Sequence, residues 1–290
     1  MENITRTIYS SHLQTSLLTG LPFVAPANST LNQKFDIQAS VLVGNNFPKL
    51  QYFTIGNGGH RFIMGTSTAP GQPALPKPEP IQHRTTDAAL FNHIPFKILE
   101  LNEDTSAESV GYGLRVVRTF DNRPYVCYYA KELNWQNVAV ELETQVTDNG
   151  VTTSSPFVPT VADNLNPTPP ALANTGTNVT TGESTSVSAK LTITLTPQEC
   201  DNIKHACEVI YGDEGYAIIS ELGLVTAVKG PLVTVPVSGS GGGYTYNEII
   251  GSQISAFIST FYPLMFNNNG NSTVIDVGCA EPLLSLTNAP

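Results

Sequence analysis

Apolar residues recur at every second position along several stretches of the first half of the chain, the period of a strand that buries one face. Phe35, Ile37, Ala39 and Val41 predict a strand over 35–43; a second follows over 49–55 and a short one over 61–65. Residues 94–101 predict another. The clearest pair is 111–120 and 125–130, two runs rich in β-branched and aromatic residues about a turn at Asp121-Asn122-Arg123-Pro124, which together predict a hairpin. Val138, Val140, Leu142 and Val146 extend the series, and 191–195, 218–228, 232–237 and 273–277 predict strands in the second half. Three stretches show helical spacing instead. Ile8, Leu13, Leu17 and Leu18 can share one face of a helix over 5–19, which Gly20-Leu21-Pro22 ends. The other two open with a Thr-x-x-Glu capping box, in which a hydroxyl and a carboxylate each take an orphan backbone N–H. The first box is Thr196 to Glu199 with Pro197 at the first helical position; its helix lines up Cys200, Ile203, Cys207 and Ile210 and closes at Gly212. The second is Thr245 to Glu248, with Ile250, Ile254, Phe257, Ile258 and Phe261 on the buried face of a helix over 246–262 that stops before Pro263.

These elements predict an α+β, β-rich fold: an N-terminal antiparallel β-sandwich or barrel-like part and a C-terminal unit of strands plus two capped helices. Four segments follow: an N-terminal helix or arm over 1–30, a β-rich domain over 31–146, a loop or linker over 147–188 and an α+β unit over 189–290. The linker is assigned because Thr, Ser, Asn, Pro and Gly displace large apolar residues there. Pro70, Pro73, Pro76, Pro78 and Pro80 predict a second extended connection.

Composition changes the picture in one respect. The chain is 40% apolar, enough for a real core, yet only 13% charged, about half the usual share. Its 24 acids against 14 bases give a net charge of −10. That balance argues against sequence-specific nucleic-acid binding, which needs clustered Lys and Arg. An acidic surface suits solubility, or a passage through which DNA must slide. No basic start leads into an apolar signal-peptide core, and no apolar run approaches the ~20 residues of a membrane helix. The N-x-[ST] sites at Asn3, Asn28, Asn178 and Asn271 are read as chance matches in an Asn/Thr-rich chain. Cys127, Cys200, Cys207 and Cys279 show no zinc-ligand spacing, so they are expected to be reduced and buried.

Candidate chemistry is sparse. The Gly56-Asn57-Gly58-Gly59-His60 turn lacks the lysine and the spacing of a phosphate-binding loop, and a tight loop needing positive φ explains it better. His83, Arg84, Asp87 and His93 lie close in sequence, a spacing that fits surface polarity or a core hydrogen bond more readily than a metal or acid–base site. Glu79, Glu132 and Glu221 are available carboxylates that the sequence does not pair; Glu221, interrupting an apolar strand, is expected to face solvent or to meet a Lys or Arg. Tyr112, Tyr125, Tyr128, Tyr129 and Trp135 offer rings for sugar stacking, although cross-strand and core roles suit them better. No residue is therefore assigned as catalytic, cofactor-binding or metal-binding, and no enzyme is expected.

The Ile219-Ser220-Glu221-Leu222-Gly223-Leu224 run, preceded by Tyr211-Gly212-Asp213, resembles segments of tailed-bacteriophage virion proteins of the neck, collar and baseplate. The resemblance covers residues 211–224 and carries over no functional residue. It implies a non-enzymatic structural protein that forms part of a ring or wedge in the virion, with itself and other virion proteins as partners. Such a protein would be assembled in the host cytoplasm. The segments 1–30, 70–80 and 147–188 are then the expected contact regions. A carbohydrate- or receptor-binding module of a phage tail is the alternative, and a hydrolase a second.

Overall fold

A computed structural model describes residues 3–44, 46–66, 73–148, 151–157, 182–236, 243–266 and 270–282. The fold is α+β and β-rich. It forms two compact units that do not follow the sequential division into 31–146 and 189–290. Unit 1 comprises residues 1–133 and 194–271, and unit 2 comprises residues 134–193 and 272–290. The reason is strand pairing: the long strands of the second half join the sheet begun by the first.

Unit 1 is built on one antiparallel sheet. Its strands are β1 (Asn3–Arg6), β2 (Lys49–Gly56), β5 (His93–Ile94), β6 (Lys97–Glu100), β7 (Tyr112–Phe120), β8 (Arg123–Glu132), β12 (Ile218–Pro236) and β13 (Gly243–Pro263). The order is β1-β13-β12-β2-β8-β6, with β5 also on β2 and β7 also on β8. The expected hairpin is β7–β8, and its turn residues Asp121 and Asn122 take φ of 47° and 62°, the left-handed pair a two-residue hairpin turn requires. The expected strand over 61–65 is β3 (His60–Met64), which pairs with β4 (Pro76–Pro80). The prolines of β4 fall at alternate positions, so the segment expected as an unpaired connection joins a two-stranded ladder through Lys77 and Glu79. Residues 70–72 of that segment lie outside the described residues.

Three helices accompany the strands: α1 (Ile8–Thr19), α2 (Leu31–Phe35) and α3 (Pro197–Tyr211). In α3 the capping box forms as read: Thr196 Oγ1 accepts from Glu199 N at 3.3 Å, and Glu199 Oε2 accepts from Thr196 N at 2.8 Å. Gly212 ends the helix at φ 76°, and Cys200, Ile203, Ala206 and Cys207 are its buried face. Cys127, Cys200 and Cys207 are free and buried; the Cys279 side chain lies outside the described residues. Residues 35–43 are not a strand. A capping box between Thr30 and Gln33 starts α2 upstream, and Asp36 in the left-handed region ends it.

Residues 246–262 are likewise not a helix but most of β13. Glu248 never returns to Thr245; its carboxylate takes the Tyr246 hydroxyl and the Gln38 amide. Both faces of this strand are covered from Glu248 to Ser252, so strict alternation is absent. Bulges against β12 then shift the register and mimic helical spacing. At the bulge, Gly251 adopts φ +58°, and a Cβ there would lie 2.4 Å from Val43 Cγ2. Asn32 of α2 fastens the irregular backbone. Its Nδ2 donates to Ile249 O at 2.7 Å, and its Oδ1 accepts from Ser252 N at 2.9 Å and from Ser252 Oγ at 2.6 Å. Leu31, Phe35, Tyr52, Leu114, Ile249 and Phe257 belong to the core around this junction.

Unit 2 is a four-stranded antiparallel sheet in the order β10-β9-β11-β14, from β9 (Val140–Asp148), β10 (Val151–Pro156), β11 (Gly182–Leu195) and β14 (Asn271–Pro282). Much of the expected linker over 147–188 is therefore strand, because Thr and Ser suit an exposed pleated surface; residues 158–181 lie outside the described residues. The register puts Val140, Leu142 and Val146 of β9 on one face with Val151 of β10 and Val187 of β11, and Glu141, Glu143 and Gln145 on the other.

Asn32→Ala removes the three hydrogen bonds to Ile249 and Ser252 and a fourth, from Nδ2 to Ile37 O at 3.2 Å, and leaves Ile249 O and Ser252 N without them. It is expected to lower stability by about 3 kcal/mol in chemical denaturation, with the loss visible as a lower midpoint at unchanged m-value.

Candidate functional site

The most organised polar cluster in unit 1 centres on Glu221, in the strand that carries the 211–224 resemblance. Ser220 and Glu221 sit near the start of a run buried from Ile219 to Ala227, and a register shift against β13 falls between Ile219 and Glu221. The Glu221 side chain is wholly enclosed. Contrary to the sequence reading, it neither faces solvent nor meets Lys or Arg. Three backbone donors and one imidazole converge on it. Oε1 accepts from Gly58 N and Asn92 N, each at 3.0 Å; Oε2 accepts from Phe91 N at 3.0 Å and takes His83 Nε2 at 2.8 Å. Four hydrogen bonds to one carboxylate replace the water it gives up on burial.

The glycine-rich turn makes this geometry possible. β2 pairs Gly56 directly opposite Glu221, and a Cβ at Gly56 would lie 2.6 Å from Glu221 Oε1 and 2.5 Å from Asn92 O. A Cβ at Gly59 would lie 2.7 Å from Ser220 O, and Gly59 N donates to Ser220 Oγ at 2.9 Å. The turn is thus a cradle for a side chain of its own fold; none of its glycines takes a positive φ, so close approach and not a left-handed backbone is what requires them.

His83 and Asp87 complete the cluster. The His83 ring lies flat between Phe91 and Phe257, with centroids 4.0 Å and 3.9 Å away and planes within 9° and 12°. Its Nδ1 meets Asp87 Oδ2 at 3.2 Å, and Asp87 Oδ2 also accepts from Arg84 N at 2.9 Å. A histidine held between two carboxylates has the parts of a proton relay. Both His83 and Glu221, however, have side chains with no solvent exposure, so no substrate atom reaches them. The cluster acts as a clamp that ties the 56–60 turn and the 83–92 segment to β12. His93 stays outside it: it accepts from Leu90 N at 3.1 Å, and burial, with smaller contributions from Lys34 and His83, drops its pKa to about 3.

A second buried carboxylate, Asp104, takes Arg115 Nε at 2.9 Å and Nη2 at 2.6 Å, Tyr128 Oη at 2.6 Å and Tyr244 Oη at 2.8 Å. Burial, followed by the hydrogen bonds with Asp104 and Tyr244, raises the Tyr128 hydroxyl far above its ordinary range. Tyr128 is therefore a core hydrogen-bond donor. Tyr129 stacks on Phe35 at 4.5 Å, and Lys97 Nζ lies 4.9 Å from the Tyr112 ring centroid. Tyr125 packs near Phe120 and Trp135 is half-buried, so the five rings singled out in the sequence do not form one platform. Glu79 pairs with Arg61 at 2.6 Å and Glu132 with Lys229 at 2.9 Å, both on the surface and apart from Glu221. Among the described residues no group of three or more His, Cys, Asp or Glu gathers to hold a metal ion, and no helix is long and apolar enough to cross a membrane.

Over its whole length, residues 1–290, the chain matches the model of a family described as "Family of unknown function (DUF7208)". The chain belongs to this family. Neither a curated protein nor a solved structure matches it.

Within this DUF7208 protein the signal for the clamp was present in the sequence: a Glu inside an apolar strand, a turn with three glycines in five positions, and a His with an Asp four residues on. Nothing in the linear order joins them across the sheet. Glu221→Gln turns an NH₂ group toward backbone donors and is expected to cost about 3–5 kcal/mol. His83→Phe keeps the ring between Phe91 and Phe257 but removes one donor, and is expected to cost about 1–3 kcal/mol. Equilibrium unfolding of both variants checks the order of the two losses.

Proposed function

We propose that this protein is a non-enzymatic structural subunit of a tailed-phage virion that works by repeated contacts with copies of itself and with other virion proteins. The observation that carries the reading is the open apolar face of unit 2. Val140, Leu142, Val151 and Val187 share that face across three adjacent strands, and each keeps between 43% and 67% of its surface exposed. An antiparallel sheet is ordinarily covered on its apolar side. Val140, Leu142 and Val187 are neighbours there, with Val151 farther along beyond Thr185 and Glu183, and exposed apolar residues grouped on a sheet face favour an interaction site. The outer strands β10 and β14 also present hydrogen-bonding edges among the described residues.

The N-terminal region adds a second apolar surface. Only Leu13 and Ser16 of α1 are buried, whereas Leu17, Leu18, Leu21 and Val24 are more than half exposed. The N-terminal surface falls within 1–30, and Val151 and Val187 fall within 147–188, two segments the sequence marks as contact regions; Val140 and Leu142 lie before the second. The 211–224 resemblance supports the virion setting. Its apolar residues Ile219, Leu222 and Leu224 are buried, so the likeness lies in how the core is built.

Sedimentation velocity on the full chain at micromolar concentration is expected to show a closed oligomer. Leu142→Asp combined with Val187→Asp, directly opposite each other on the exposed face, is expected to return it to single subunits, with a slightly lower melting temperature from the paired charges and an unchanged far-UV circular dichroism spectrum. A wild-type chain that stays a monomer up to about 100 μM and is missing from purified particles by mass spectrometry would overturn the reading.

A further inference from the structure

The outer side of the loops that enclose Glu221 opens into a cavity of about 520 Å³ lined by Asn57, His60, Phe62, Asn92, Tyr211 and Tyr216. We propose that this cavity is a binding site for an uncharged carbohydrate of one or two hexose rings. The proposal goes beyond assembly and uses a different surface, wholly within unit 1.

Three features point to that ligand class. The first is aromatic. Tyr211 and Tyr216 hold their rings 5.0 Å apart at 37°, and Tyr216 is 53% exposed. Phe62 contributes a third ring, 59% exposed and edge-on to His60 at 5.4 Å. Such rings offer apolar faces to the C–H side of a pyranose.

The second is a set of polar groups held in fixed orientation. Asn57 Nδ2 donates to Tyr216 O at 3.0 Å, and Asn92 Nδ2 donates to Asn57 Oδ1 at 2.6 Å and to Tyr211 Oη at 2.8 Å. The Tyr211 hydroxyl receives Asn92, so its own proton remains for an acceptor on a ligand. The backbone of Asn92 is pinned by the Glu221 carboxylate, so this part of the cavity wall is formed before any ligand arrives. Planar amides and a hydroxyl beside aromatic rings match vicinal hydroxyl groups, which donate and accept together.

The third is charge. Asp213 also lines the cavity, and no Lys or Arg does among the described residues. Burial lowers the pKa of His60 from its ordinary value, which leaves the ring neutral at pH 7. Phosphates, nucleotides and acidic sugars therefore find no counter-charge, while a neutral sugar needs none.

Ligand-observed saturation-transfer NMR on the full chain tests the site. The probes are glucose, galactose, N-acetylglucosamine and the β1,4-linked disaccharides of glucose and N-acetylglucosamine, with glucuronic acid and glucosamine as charged arms. At least one neutral probe is expected to receive saturation. Tyr216→Ala, at an exposed ring, is expected to weaken that binding about tenfold with an unchanged melting temperature. Phe62→Ala, equally exposed, is the second variant and is expected to weaken it as well. No transfer to any neutral probe, transfer that survives in both variants, or a preference for either charged arm would overturn the proposal. The oligomer-breaking Leu142→Asp/Val187→Asp pair is expected to leave sugar binding intact, which separates this result from the fate of the assembly reading.

Discussion

One buried carboxylate holds unit 1 together. Glu221 lies near the start of β12 with its side chain wholly enclosed, and an isolated ionised group there would be prohibitively costly. The fold supplies four donors from two different segments, the 56–60 turn and the 83–92 stretch. Each must approach closely, and that sets further conditions: glycine where β2 faces the carboxylate, and a histidine pressed flat between two phenyl rings so that its Nε2 arrives at the right height. A polar network of this sort stabilises only when complete, which makes it a strong selector of one backbone arrangement over its neighbours.

The rest of unit 1 shows the same logic at lower intensity. Asp104 gathers Arg115, Tyr128 and Tyr244 from β7, β8 and β13, and Asn32 gathers the ends of a bulge in β13. In each case a short polar side chain joins elements that are distant in sequence. Two strands as long as β12 and β13 could slip against each other, and bulges pinned by specific side chains remove that freedom. Unit 2 has no comparable anchor among its described residues. Val140, Leu142, Val151 and Val187 lie open while Leu191, Ile193 and Ile275 are buried, and its cross-strand contacts are mostly Thr, Ser and charged pairs such as Lys190 with Glu141 at 3.3 Å.

What could be read from the linear chain was what is decided locally. The β7–β8 hairpin was legible because Asp121 and Asn122 tolerate positive φ between two β-forming runs. Helix α3 was legible because Thr196, Pro197, Glu199 and Gly212 agree with one another. The same Thr-x-x-Glu pattern at Thr245 misled, because Glu248 is claimed by Tyr246 and Gln38 and because a strand buried on both faces loses its period. Glu221 misled for a related reason. Its partners are backbone N–H groups 129 to 163 positions away, and no residue type announces a backbone donor. The cavity beside it was hidden too, since Asn57, Asn92 and Tyr216 are ordinary loop residues until the clamp brings them together.

The path of the chain between the units has a consequence for biosynthesis. β1 at residues 3–6 finds its partner in β13 at 256–259, and β9 and β11 lie in the same sheet as β14, which spans 271–282. Neither unit can close while the ribosome is still translating most of the message. Apolar segments such as 49–56 and 112–132 emerge long before β12 and β13 can cover them. Late-closing sheets of high contact order fold slowly and expose sticky edges meanwhile. Until β12 and β13 are made, those segments keep apolar surface open to association with other chains.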